Sequence, residues 1–401
     1  MKKNPEETST LSETIPALVL GADITALGVI RCLGRRRIRT FFVSDKKDFV
    51  RFSRWTIPVL LHMDPFPSSQ ELACFLDGLD IERAVIFPCS DSFLKAVTEL
   101  PDRLTSRFPS SLPTAETQET LVDKGRFAKV LNENGIPHPE TLIIESRARL
   151  ESLDAGYFKG FFLKPCHSKE FQHHFHTKAF RISGLEDALN KYEIIRRFGQ
   201  SVMLQEYIPG SADQHYFVDG FVDKGGVIRV LFVRRRIRIF PPYFGNSSYC
   251  VSIAPETAAG ALDSVRRLIS RSSYRGIFSA EFKWDVRDNL YKILEVNARP
   301  WWYIEFAAAC GVDTCWMAYR DALGMPVASV DSYREGKGCM YSLNDFLTAW
   351  KLFTAGRMSP VSWVREFLRA KKPVFSWDDP LPSAGNLIEK PWRFIKNKLS
   401  H

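Results

Sequence analysis

The sequence predicts a parallel α/β domain followed by an α+β region, with a basic and aromatic stretch at the end. Three observations carry this reading: a strand-turn-helix-strand run near the start, a Ser/Thr/Pro-rich break after which the texture changes, and a shift of composition near residue 331. The 401 residues suffice for two or three domains. Apolar residues make up 45% and charged residues 25%, ordinary globular usage that excludes a disordered acidic chain, a collagen and a coiled coil.

The run ALVLGADITALGVIRCLGRRRIRTFFVSD reads as a buried strand, a glycine turn, a helix from about Thr25 to Gly34 and a second strand ending at Asp45. Arg35 to Arg37 close the helix, where cations suit its dipole. A dinucleotide fingerprint would need a glycine where Asp23 stands. A carboxylate there opposes a pyrophosphate, so a nicotinamide site is not expected. AVIFPCSD supplies another strand, with Pro88 to Asp91 as the loop at its carboxyl end, and residues 1–115 make up the α/β domain.

FPSSLPTAETQET reads as a linker. Beyond it a helix from about Val122 to Asn134 stops at Gly135, and Pro137 and Pro139 keep it from resuming before the strand TLII. Then come the strand FFLKP, a His-rich loop, the helix LEDALNKYEIIRRFG, the strand SVMLQEYI and a run of β-hairpins to about Asn297. The second domain spans 116–330. From 331 to 401 the chain is basic and aromatic, with helices expected near Leu343 to Thr354 and Pro360 to Ala370.

Of the net charge of +9, this last segment contributes +5, from twelve Lys and Arg against seven Asp and Glu. Such a segment suits a solvated surface, a peripheral membrane contact or an acidic protein partner; without a recognition fold, nucleic acid is not expected. No stretch reaches the length of a membrane span, and MKKNPEETSTLSET is polar where a signal peptide is apolar, so a cytoplasmic location is expected. Eight cysteines without a CxxC pair fit buried thiols better than disulfides or structural zinc.

The chemistry concentrates in GIFSAEFKWDVRDNLYKILEVNARPWW. Pairing AEFKWDV with LYKILEVN about Asp288 sets Glu281 directly across from Glu295 on one face. Two facing carboxylates need a positive partner, and Asn297 adds a carbonyl on the same side, a hard oxygen set that suits Mg²⁺ or Mn²⁺. Pairing of Glu281 with a basic residue on a neighbouring strand is the alternative. Arg299 places a guanidinium beside the cluster, where a phosphoryl group in transfer develops charge. In VIRVLFVRRRIRIF, Arg234, Arg236 and Arg238 share a face, suited to phosphates or a substrate carboxylate, or to a charged edge strand.

The ordered series Asp123-Lys124, Lys164-Pro165, Gln205-Glu206-Tyr207-Ile208, Glu281 and Glu295-x-Asn297-x-Arg299 resembles the ATP-grasp superfamily over about 116 to 325, and within it the carboxylate-amine ligases related to D-aspartate ligase. The resemblance implies a pre-ATP-grasp α/β domain followed by a two-lobed ATP-grasp domain. Lys124 and Lys164 would hold the α and β phosphates of ATP. Backbone at Glu206 to Ile208, after Gln205, would bind adenine, and Asp213 the ribose. Glu281, Glu295 and Asn297 would bind Mg²⁺ or Mn²⁺, and Arg299, with Arg236 and Arg238, would serve the transferred group. One departure stands out: residues 161–183 contain no glycine, whereas the phosphate-covering loop of such proteins is usually Gly-rich. His167, His173, His174 and His176 there fit a solvated lid better than a zinc site, with Ser168 and Lys169 as alternative donors.

The activity so implied is an ATP-dependent carboxylate-amine ligase that makes an amide through an acyl phosphate, releasing ADP and phosphate. Its partners would be a small carboxylic acid and an amine, with a homodimer also open. The rival readings are an ATP-grasp kinase or carboxylase using the same site, and a nucleotide-binding scaffold with little turnover.

Overall fold

The computed structural model describes residues 14–44, 48–57, 61–166, 175, 177, 179–241 and 245–387. Short apolar runs near the start pair in parallel as β1 (Ala17–Leu20), β2 (Thr40–Ser44), β3 (Leu61–His62) and β4 (Val85–Pro88), in the order β3-β2-β1-β4. The helix Asp23–Arg35 links β1 to β2 and is buried along most of its length. A Cβ on Gly28 would lie 2.8 Å from Ile304 Cγ2, so the glycine lets this helix meet the helix Ile304–Cys310 closely. Asp45 and the His-rich loop residues His167, Ser168, Lys169, His173, His174 and His176 lie outside the described residues.

The linker read from FPSSLPTAETQET is partly helical. Thr114 caps the helix Ala115–Val122, and Asp123 ends it while capping the next, Lys124–Glu133. A second, antiparallel sheet follows in the order β5-β8-β6-β7, from β5 (Thr141–Ile144), β6 (Phe161–Pro165), β7 (Phe180–Arg181) and β8 (Val202–Glu206). Ala188, Tyr192 and Ile195 of the helix Leu185–Arg197 pack on Leu163, Val202 and Leu204 to give this lobe its own core.

The third sheet holds six strands in the order β13-β12-β9-β10-β11-β14: β9 (His215–Val222), β10 (Ile228–Phe240), β11 (Asn246–Ser252), β12 (Gly276–Asp285), β13 (Leu290–Asn297) and β14 (Gly338–Met340). The expected unbroken run of hairpins is corrected here by a helix, Ala259–Ser272, between β11 and β12. Ala261, Leu262, Val265, Leu268 and Ile269 recur at helical spacing, and all five are buried against this sheet's core.

The stretch after 331 is built into the same body. Its strand β14 pairs with β11, and the helices Ser342–Thr354 and Pro360–Arg369 follow. Residues 371–379 then run back to the first domain, where Arg31 meets Asp379 and the carbonyls of Pro373 and Val374. No helix among the described residues is long and apolar enough to cross a membrane.

Candidate active site

The hairpin β12-β13 does pair Glu281 with Glu295, though not by simple symmetry about its turn. Near the turn the register runs Asp285↔Leu290 to Phe282↔Ile293 and would set Leu294 opposite Glu281. A bulge between Glu281 and Phe282 shifts β13 by one residue and brings Glu295 across instead. The register continues over adjacent strands, so Glu295, Glu281, Phe217 and Arg234 form one row across β13, β12, β9 and β10.

Two cavities flank that row. The first lies between the two antiparallel sheets, lined by Lys164, Gln205, the hinge residues Glu206, Tyr207 and Ile208, and Lys283. The second, about 420 Å³, lies against the first domain and is lined by Asp23, Ser90, Arg234, Asn297, Arg299 and Trp302 among others. Both share Arg236, Asn246, Glu281 and Glu295 as a common wall.

Positive groups meet the paired carboxylates. Arg236 donates from Nη2 to Oε1 of Glu281 (3.0 Å) and from Nε to Ser247 Oγ (2.9 Å), while Nδ1 of His215 donates to the same Glu281 oxygen at 2.8 Å. The pairing with a neighbouring basic strand thus exists, but inside a cavity wall. Burial pushes His215 below the ordinary histidine value, against the pull of Glu281. Lys124 Nζ lies 3.8 Å from Glu295. Asn297 turns its amide nitrogen to Glu295 (3.5 Å) and its carbonyl to Arg299 (3.2 Å), so its amide must rotate before the oxygen joins the two glutamates.

Arg299 is fixed by Asp91, which accepts from both Nε and Nη2. Burial opposes its charge, and Asp91 outweighs burial, so the guanidinium is held above its ordinary value. Asp91 opens the helix Asp91–Thr98 at the carboxyl end of β4, capped by Ser90. Asp23 also reaches this cavity from the first domain. Its backbone adopts φ +62°, the left-handed conformation that a glycine would take at that turn.

At the other end of the first cavity, Lys164 donates to Gln205 Oε1 (2.7 Å), and Gln205 donates onward to Thr141 (2.9 Å). The Glu206 and Tyr207 N–H groups are bonded to the carbonyls of Glu140 and Gly160. Among the described residues the N–H of Ile208, which lines the cavity, has no protein acceptor.

Two expected site residues stand elsewhere. Arg238 does not line either cavity; Asp345 takes its Nε and Nη2, and Glu366 its Nη1, so the arginine anchors the C-terminal helices to β10. Asp213 pairs with Arg235 on the opposite face of β10 and does not line either cavity. Sequence reasoning in turn missed His215, Lys283, Asn246 and Asp91. Lys283 alternates with Glu281 on β12, a signal that was available; burial lowers it, with Arg236 acting the same way.

Behind the hinge, the β12-β13 turn is locked to it by charge. Arg287 bridges Asp285 and Glu206, and Lys292 reaches Asp285 at 2.8 Å. The Arg287 hydrogen bond first, and Lys292 next, hold Asp285 well below the usual carboxylate range. A folded value below the unfolded one, about 3.9, means that the stabilisation is complete above that value and is lost as pH falls through the folded one. Asp285→Asn is expected to cost about 1.5–3 kcal/mol at neutral pH. Urea unfolding should show the gap to the parent closing as the solution is acidified below about pH 4; an unchanged gap would assign the cost to something other than charge.

No family model matches the chain. It is 22% identical over 315 residues to D-aspartate ligase of Enterococcus faecium (strain Aus0004), covering 72% of this chain and 71% of that one. Among solved structures it resembles carboxyaminoimidazole ribonucleotide synthase from Aspergillus clavatus complexed with ATP (TM-score 0.62, 12% identity, 80% of each chain). It also resembles L-amino acid ligase from Bacillus licheniformis (TM-score 0.61, 14% identity, 81% of this chain and 78% of that one). A third likeness is to biotin carboxylase from Campylobacter jejuni (TM-score 0.62, 15% identity, 80% and 74%).

Proposed function

With the ATP-grasp fold as its premise, we propose that this chain is an ATP-dependent carboxylate-amine ligase that activates an acid as its acyl phosphate. The observation that carries the reading is the wall of Glu281, Glu295, Arg236 and Asn246 between two cavities. ATP would occupy the first cavity, with adenine at the Ile208 hinge and phosphates toward Lys164 and Lys124. The acid would occupy the second, beside Arg234 and Arg299.

Glu281 and Glu295 are adjacent hard oxygen donors, so their chemistry fits Mg²⁺ or Mn²⁺, with Asn297 as a third donor once its amide turns. Such an ion, when bound, neutralises charge on the phosphate oxygens. Everything else falls to side chains. Arg236 and Arg299 offset the charge that develops as a carboxylate oxygen bonds to the γ phosphorus and ADP leaves. Asp91 keeps Arg299 aimed. The amine then bonds to the acyl carbon, phosphate departs with the acyl-oxygen electrons, and the nitrogen loses a proton to solvent. Positioning and charge neutralisation suffice, and no enzyme nucleophile is required.

ADP release is expected only when a carboxylic acid and an amine are both supplied, and hydroxylamine in place of the amine should yield a hydroxamate. ADP formed with an alcohol or bicarbonate alone would turn the reading to a kinase or a carboxylase. No ADP formation across a panel of amino acids and small acids would favour a binding scaffold.

A further inference from the structure

The two C-terminal helices each carry an apolar face that is exposed among the described residues. On Ser342–Thr354, Asp345 and Ala349 point inward, while Leu343, Phe346, Leu347 and Trp350, spaced at helical intervals, face out. On Pro360–Arg369 the outward set is Val361, Val364 and Leu368, and Leu368 is 74% exposed. The helices touch through Phe346 and Trp363, whose rings lie 5.6 Å apart. Trp377, 90% exposed, stands in the segment that follows.

Charge is unevenly placed as well. The acids of the two helices and the segment after them are paired with arginines of other elements: buried Asp345 and partly exposed Glu366 with Arg238, exposed Asp378 with Arg35, and buried Asp379 with Arg31. Lys351, Arg357, Arg365 and Arg369 stay exposed around the apolar faces. An exposed aliphatic and tryptophan face flanked by cations, its neighbouring acids neutralised by arginines, is complementary to a layer of anionic headgroups over acyl chains. A protein partner would have to offer an apolar surface and an acidic rim together.

We propose that these two helices dock the protein on an anionic lipid bilayer, lying in the headgroup region without crossing it. The face lies apart from the two cavities, so the assignment stands whether or not the chain is a ligase. The test uses the full chain, sedimented with vesicles of phosphatidylcholine alone or mixed with phosphatidylglycerol. Binding is expected only to the mixed vesicles, and salt should weaken it. The double change Arg365→Gln and Arg369→Gln should weaken partition roughly 30-fold. Trp350→Ser or Leu368→Ser should each weaken it about 10-fold or more, with the circular dichroism of the parent retained. Failure to bind mixed vesicles at low salt overturns the proposal. So does equal binding to neutral vesicles that the arginine changes do not touch. A dimer in solution that Trp350→Ser dissociates, without vesicle binding, would assign the face to a second copy of the chain instead.

Discussion

Replacing Glu295 with glutamine is expected to cut ATP turnover roughly 10²- to 10³-fold while leaving the fold at least as stable as before. The opposite signs follow from one geometry. Glu281 and Glu295 are direct cross-strand partners, and like charges so placed repel by about 0.2–1 kcal/mol. Glu281 has its own partners in the Arg236 guanidinium and the His215 N–H, whereas Glu295, 43% exposed, has Lys124 only at 3.8 Å. Neutralising Glu295 therefore relieves repulsion and gives up little attraction, since a half-exposed pair at that distance contributes little. A residue kept for stability would show the reverse: a lower melting temperature with turnover intact.

The same variant separates the metal assignment from the phosphate assignment. The melting temperature of the parent should rise with added Mg²⁺ and ATP, because a ligand that binds only the folded state stabilises it in proportion to its occupancy. In Glu295→Gln the Mg²⁺-dependent part of that rise should disappear, while Lys164 and the Ile208 hinge still bind nucleotide weakly. If turnover of the variant stayed within a factor of about three of the parent, Glu295 would not be a ligand and the shared wall would need another explanation.

The half of the site carried on neighbouring strands was legible because β-pairing is a local code. Asp285↔Leu290 fixes one end of the hairpin, and the alternation of AEFKWDV and LYKILEVN puts both glutamates on one face. Even there the bulge that aligns them left no separate mark in the sequence. What escaped depends on contacts that no local pattern encodes. Asp91 aims Arg299 across 208 residues, and Asp345 claims Arg238 across 107. A row of three arginines on one face gives no hint which of them a distant carboxylate will occupy. The helix Ala259–Ser272 was a different matter, since AGALDSVRRLISRS shows its apolar stripe openly. Expecting hairpins hid it.

Arg31→Met is expected to destabilise the chain by about 3–5 kcal/mol, the usual cost of stranding a buried ionic network. Arg31 is fully buried on the helix Asp23–Arg35, and all five of its N–H groups are used. Nε donates to Asp379, Nη1 to Glu305 and the Pro373 carbonyl, and Nη2 to the carbonyls of Val374 and Asp379. One guanidinium thus ties together the first domain, the helix that follows the Glu-Asn-Arg segment, and the returning C-terminal strap. Methionine fills much of the volume but leaves three buried carbonyls and part of two carboxylates without donors. Lysine should not rescue it, because one ammonium cannot reach five acceptors arranged for a planar fork. Arg35 on the same helix is the control: it meets Glu305 and Asp378 at 34% exposure, and Arg35→Met should cost about 1 kcal/mol or less. Urea unfolding gives the energies, and limited proteolysis should cut Arg31→Met, and not Arg35→Met, near residues 371–379. Equal stability of the two variants would mean that the strap is held by its apolar contacts, Val374 above all, and that the buried arginine contributes nothing of its own.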